Sequence, residues 1–197
     1  MNADSQLSFK IRDRDSLVQA MQSGLRPKWL LFWGHTPSKD GSITKSCFSQ
    51  WWARHPFTHQ GVLYPTAEHF MMAGKARLFH DANMLSRILA AKSAAQAKKL
   101  GRLIQGFDEL KWRHAHWDIV VQGNLAKFKQ HPDLCEYLLQ TNKRVLVEAS
   151  PYDRIWGIGM AADDERSEKP ACWKGLNLLG FALMEAREQL RAETETA

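Results

Sequence analysis

One segment constrains the fold more than any other: YPTAEHFMMAGKARLF, from Tyr64 to Phe79. Proline tolerates an N-terminal helical position and a threonine hydroxyl caps the first free amides, so Pro65 and Thr66 predict a helix over Thr66 to Phe79. Within its apolar body the helix carries Glu68 and Lys75 with no charged residue between them. At 100° per residue they fall within about 20° of each other around the axis, but roughly 10 Å apart along it. That is too far for an i,i+4 ion pair. Met71 and Met72 stand between them and compensate neither charge, leaving a gap the size of a small ligand. Singly, each charge has an ordinary explanation: an acid in a first helical turn gains about 0.3 to 1 kcal/mol from the helix dipole, and a helical lysine is usually solvated. Together they are more informative, because a carboxylate can shuttle protons and a lysine among apolar groups can act as a neutral nucleophile towards a sugar C1.

The chain of 197 residues is long enough for one substantial core, and no linker or composition break divides it. With 44% hydrophobic and 24% charged residues it reads as an ordinary globular protein, without an apolar run of membrane-spanning length. The opening MNADSQLSFKIRDRDS lacks the apolar core of a signal peptide, so a cytoplasmic location is expected. Cys47, Cys135 and Cys172 are far apart and without C-x-x-C spacing, which points neither to a disulfide framework nor to zinc. The net charge of +6 favours an anionic partner, either a phosphate or a nucleic acid.

Along the chain, a short helix is expected from Asp15 or Ser16 to Gly24, then a buried strand at WLLFWG (Trp29 to Gly34). CFSQWW and FTHQGVLYP read as short strands, the latter around a turn at Gln60-Gly61. Beyond Phe79 come a segment from Asp81 to Ala91 and a helix over Ser93 to Ile104 opened by the S-x-x-Q of SAAQ. Asp108 caps a long helix ended by His131-Pro132; DLCEYLLQT is helical, RVLVEAS is a strand, and Lys174 to about Arg191 forms the last helix. The expected architecture is mainly α: a single helical domain with a few short β-strands near its N-terminal part and before the WGIG loop. Residues 1–28 are expected to form an extension packed on a domain of residues 29–190, and residues 191–197 a frayed tail.

A second group of polar residues lies in EASPYDRIWGIG. Glu148 ends a strand, Asp153 and Trp156 follow in a loop, and Gly157 and Gly159 leave the backbone bare. A lone G-x-G is more often a tight turn than a phosphate loop, but here an aromatic and two acids flank it. Trp117-Asp118, in mid-helix, reads on pattern alone as a core tryptophan and a solvated aspartate. No histidine spacing has the form of a metal site: His114 and His116 point to different faces, and Glu68-His69 is not H-E-x-x-H. No metal and no cofactor are expected.

The motifs FSQWW, YPTAEHFMMAGKA, GRLI, NLAKFKQHPDL, LLQT, LVEASPYDRIWGIGM and GLNLLGFALMEAR, in that order, resemble those of the NADAR family, which includes bacterial riboflavin-intermediate N-glycosidases. The resemblance runs from about Trp29 to Arg187. It implies a mainly helical domain that hydrolyses the bond between a ribose C1 and an amine of a base. It also implies a pocket with Glu68, Lys75 and Asp153 as catalytic residues. Ser49, Arg102, Trp117, Asp118, Glu148, Trp156, Gly157, Gly159 and Asn177 are its implied binding residues. Trp156 is expected to stack on the base, and the two glycines to let backbone amides approach sugar or phosphate. The implied substrate is a small phosphorylated ribosylamine. The same resemblance allows removal of ADP-ribose from guanine bases of nucleic acid, or a non-catalytic ADP-ribose-binding module. WRHAHWD matches the family's pattern only loosely, and the first 25 residues have no counterpart in it.

Overall fold

The computed structural model describes residues 11–195. Its elements are α1 (Arg14–Gln22), β1 (Trp29–Phe32), a 3-10 turn (Lys45–Phe48), β2 (Phe57–His59) and β3 (Val62–Tyr64). Then come α2 (Ala67–Leu78), α3 (Ala82–Leu89), α4 (Ala94–Gly101), α5 (Glu109–Gln130) and α6 (Pro132–Leu139). After β4 (Val145–Glu148), a second 3-10 turn (Pro170–Cys172) leads to α7 (Leu178–Glu195). The domain is mainly helical, as expected, and no described helix is long and apolar enough to cross a membrane.

Polar side chains set the helix starts. Thr66 accepts from the His69 amide, Ser93 from that of Gln96 and Asp108 from that of Lys111, each filling one orphan donor of a first turn. The α1 helix begins at Arg14 behind an Asp13 capping box, one residue before the expected start. At the other end, α7 begins at Leu178 rather than Lys174 and continues through Glu195. The frayed tail expected from residue 191 is therefore helical as far as it is described; residues 196–197 lie outside the described residues, as do residues 1–10 of the N-terminal extension. Among the described residues before β1, Leu17 is fully buried and α1 lies against the second 3-10 turn.

CFSQWW is not a strand. Turn hydrogen bonds from Cys47 N to Thr44 O, Ser49 N to Ser46 O and Trp52 N to Ser49 O wind it instead. The reason is the buried Lys127 of α5, whose ammonium donates to the carbonyls of Cys47 and Ser49 and gathers them on one side. The FTH and VLY hairpin forms with Gln60 and Gly61 at positive φ, as a tight turn between twisted strands requires.

The β1 strand pairs in parallel with β4, Phe32 lying opposite Glu148. The α2 helix crosses α4 and α5 at close range because small residues stand at the crossings. A β-carbon on Gly74 would reach 2.7 Å from Ile119, one on Gly123 2.7 Å from Phe70, and one on Gly101 2.0 Å from the Met72 sulfur. So tight a fit leaves α2 buried on most of its circumference. On α7, Gly180 lies so close to β4 that a β-carbon would come within 2.1 Å of the Leu146 carbonyl oxygen. Gly180→Ala is expected to lower stability by about 3 kcal/mol, since backbone cannot move aside. Urea unfolding followed by circular dichroism measures it, and an unchanged midpoint would contradict this packing.

Candidate active site

The start of α2 is held by His69, fully buried, whose Nε2 donates to Ala91 O at 3.1 Å while Nδ1 accepts from the Thr66 hydroxyl at 2.8 Å. Burial lowers the pKa of this imidazole, so it stays neutral with the tautomer these two bonds demand. With its first turn anchored, α2 presents Glu68, Met71, Met72 and Lys75 to a cavity of about 440 Å³. Lys98, Gly101 and Arg102 from α4 and its end, Trp112 from α5, and residues 152–156 of the loop after β4 complete the lining.

Glu68 is only 2% exposed. Its Oε2 accepts from Trp51 Nε1 at 3.2 Å, whereas Oε1 is buried with no hydrogen-bond partner. Burial pushes the carboxyl up to about 7; Lys98 and the Trp51 bond pull it down, while Asp153 pushes it further up. Near neutral pH the group is thus poised between acid and base.

Lys75 is half-buried, and its Nζ donates to Gly101 O at 3.0 Å. The Phe107 ring centroid lies 4.1 Å from Nζ and that of Trp112 5.6 Å. Its polar partner is a carbonyl rather than a carboxylate, and burial lowers its pKa. The two charges singled out in the sequence thus face one cavity without neutralising each other.

Asp153 spends Oδ1 on its own loop, accepting from the amides of Ile155 at 2.9 Å and Trp156 at 2.8 Å, and turns Oδ2 towards Lys98 Nζ at 3.9 Å. This Asx turn presents Trp156 to the cavity, where the indole meets His116 edge-on at 5.3 Å. Glu148 stands behind these groups with a buried, unpartnered Oε2. Burial first, then Asp153 and Glu68, push its carboxyl up to about 8 against the pull of Lys98.

Of the remaining residues implied by the resemblance, only Arg102 lines the cavity. Asn177, buried at φ 56°, clamps β4: its Oδ1 accepts from Glu148 N at 2.8 Å and its Nδ2 donates to Leu146 O at 2.9 Å. Gly157 is required by its own neighbours, since a β-carbon there would sit 2.8 Å from Glu148 O; Gly159, at φ 65°, nestles against Arg154 and Lys174. Neither glycine is among the lining residues. Ser49 acts one step away, its Oγ accepting from the amide of Trp51. Trp117 packs on the core, and Asp118 lines a different groove with His59, Arg77 and Gln122. The structure adds Lys98, Trp112 and Trp51. Lys98 and Arg102 stand four apart on one helical face, a spacing readable in the sequence; nothing local marks Trp51. Among the described residues, no group of three or more His, Cys, Asp or Glu is placed to hold a metal ion.

A family model described as NADAR domain matches residues 31–191. The chain is similar to an N-glycosidase of Acanthamoeba polyphaga mimivirus, 38% identical over 169 residues that span 82% of this chain and 96% of that protein. It is also similar to the chloroplastic riboflavin biosynthesis protein PYRR of Zea mays, 34% identical over 134 residues, 64% of this chain and 20% of that longer protein. Among solved structures, the NMR structure of the Escherichia coli protein YbiA aligns with a TM-score of 0.69 at 28% identity, covering 88% of this chain and 90% of that one.

The two raised carboxyls make a prediction about stability. From the ordinary value of 4.5 up to about 7 for Glu68 and about 8 for Glu148, the folded state holds protons that the unfolded state has released, so stability falls as pH rises through that window. Replacing both by glutamine removes this loss. Glu68→Gln/Glu148→Gln is expected to resist urea better than the parent at pH 8, with the gap closing towards pH 4; a constant gap would contradict burial as the cause.

Proposed function

The chain belongs to the NADAR family, and we propose that this hydrolase of N-glycosyl bonds acts on phosphoribosylamino-pyrimidine intermediates of riboflavin biosynthesis, releasing ribose 5-phosphate. One observation carries the reading: Glu68, with a buried unpartnered oxygen, and Lys75, with a lowered pKa, face the same cavity from one helix. The relative named for riboflavin biosynthesis supports the choice of substrate.

In this reading Trp156 and Trp112 flank the pyrimidine, and the cations of Lys98, Arg102 and Arg154 receive the phosphate. Protonated Glu68 gives its proton to the exocyclic amine as the C1–N bond breaks, so the amine leaves neutral. Lys75, after releasing a proton to solvent, a loss its burial favours, attacks C1; the sugar ring opens to a Schiff base, and water then adds to C1 and frees the lysine. Glu68, now ionised, is placed to activate that water, the change of role that a retaining glycosidase carboxyl undergoes. Asp153 serves by holding the loop that carries Trp156 and by setting the charge near Glu68. Glu148 holds a further proton behind the site.

A second reading, removal of ADP-ribose from guanine bases, draws on Tyr152, which lines the cavity, is 86% exposed and stands 6.1 Å from the exposed Trp33 ring. That pair offers an aromatic surface beyond the cavity for a second ring. Purified protein incubated with the aminopyrimidine ribotide and, separately, with ADP-ribosylated guanosine distinguishes the two by the sugar released. Turnover of the ribotide, reduced about 10²- to 10⁴-fold by Glu68→Gln, is expected. Turnover of the guanosine adduct alone would favour the second reading, and turnover of neither a binding module.

A further inference from the structure

Lys98 stands among three acids. Its Nζ is 3.9 Å from Asp153 Oδ2 and 5.9 Å from the centroid of the Trp51 ring, whose Nε1 holds Glu68. The acid it faces is surrounded by charge from every side. Glu68 meets Lys98 and Arg102 from α4, Asp153 from the loop after β4 and Glu148 from β4, while Lys75 of its own helix lines the same cavity and His35 lies across the Trp51 ring.

The Lys98–Asp153 pair is weak. At 3.9 Å it exceeds hydrogen-bond length, its members are 37% and 25% exposed, and Asp153 has already committed Oδ1 to two backbone amides. A phosphate dianion entering the cavity offers Lys98 more charge and shorter, charge-assisted hydrogen bonds.

Resting on the reading of Glu68 as proton donor to a sugar-phosphate substrate, we infer that Lys98 couples anion recognition to proton loading: it turns from Asp153 to the substrate phosphate, and Glu68 then takes up the proton it will deliver. Two changes act in the same direction. The phosphate cancels the Lys98 charge that holds the Glu68 carboxylate ionised, and Asp153, no longer paired, repels that carboxylate more strongly. The proton comes from solvent and binds Glu68; no covalent bond changes. The acid is thereby armed more fully when a phosphorylated ligand is in place.

The test follows the Glu68 carboxyl by ¹³C NMR across pH, assigned with Glu68→Gln, in the protein alone and with ribose 5-phosphate. In the wild type, ribose 5-phosphate is expected to raise the midpoint by about one pH unit, a tenfold change in protonation ratio. Lys98→Met should raise the midpoint in the free protein, shrink the further shift on adding ribose 5-phosphate, and weaken its binding about tenfold or more. Lys98→Arg should restore binding and the shift, which a residue needed only for folding would not explain. A Glu68 midpoint indifferent to Lys98→Met, or ribose 5-phosphate binding that is absent or unweakened by it, overturns the coupling. Wild-type turnover of the aminopyrimidine ribotide, measured alongside, tests the underlying reading separately, since titration and binding need no catalysis.

Discussion

The site depends on one buried cation. Lys127 of α5 has no exposed surface, and burial brings its pKa down to about 8, so its ammonium is still charged at neutral pH. It sits on the carbonyls of Cys47 and Ser49, with the neighbouring Cys47 thiol pushed up to about 12 by burial and therefore neutral. Leaving a buried ammonium short of acceptors is costly, so the turn must keep both carbonyls turned towards α5. From that turn Gln50 offers its carbonyl to the Glu68 amide at 2.9 Å, and Trp51 offers its indole N–H to the Glu68 carboxyl. Asn124, one helical turn before Lys127, donates to the Gln50 side chain. A single buried charge on one helix thus fixes how the acid on another is held.

The helices and their caps were legible because each rests on local chemistry: Thr66, Ser93 and Asp108 name the starts, and the apolar body of α2 names its burial. Glu68 and Lys75 were legible as a pair because helical geometry alone puts them on one face. What failed to show was long-range. CFSQWW has the composition of a strand, and only Lys127, far along the chain, winds it into a turn. Lys98 lies in AAQAKKLG beside Lys99, where a lysine reads as solvated until the loop after β4 closes over the same cavity. Asn177 and Gly157 are polar or bare positions of the kind a ligand uses, yet they serve the backbone of β4, a partner that no local pattern announces.

The chain accepts a cost at this place. Two carboxyls with unpartnered oxygens and a half-buried lysine that lacks an acidic partner all weaken the folded state relative to apolar groups of similar size. Their surroundings are ordered nonetheless, with glycine-mediated crossings of α2 against α4 and α5 and an Asx turn in the loop. Rigid supports around unsatisfied groups are what a reaction needs when charge must develop at a defined point.

In the function proposed above, Glu68 and Lys75 stand apart on one helix because a ribose C1 fits between proton donor and nucleophile. The most direct measurement is mass spectrometry of protein quenched with borohydride during turnover of the aminopyrimidine ribotide. A reduced ribose 5-phosphate adduct located on Lys75, absent from Lys75→Ala, is expected. An unmodified Lys75, together with a Lys75→Ala protein that keeps most of its kcat, would contradict it.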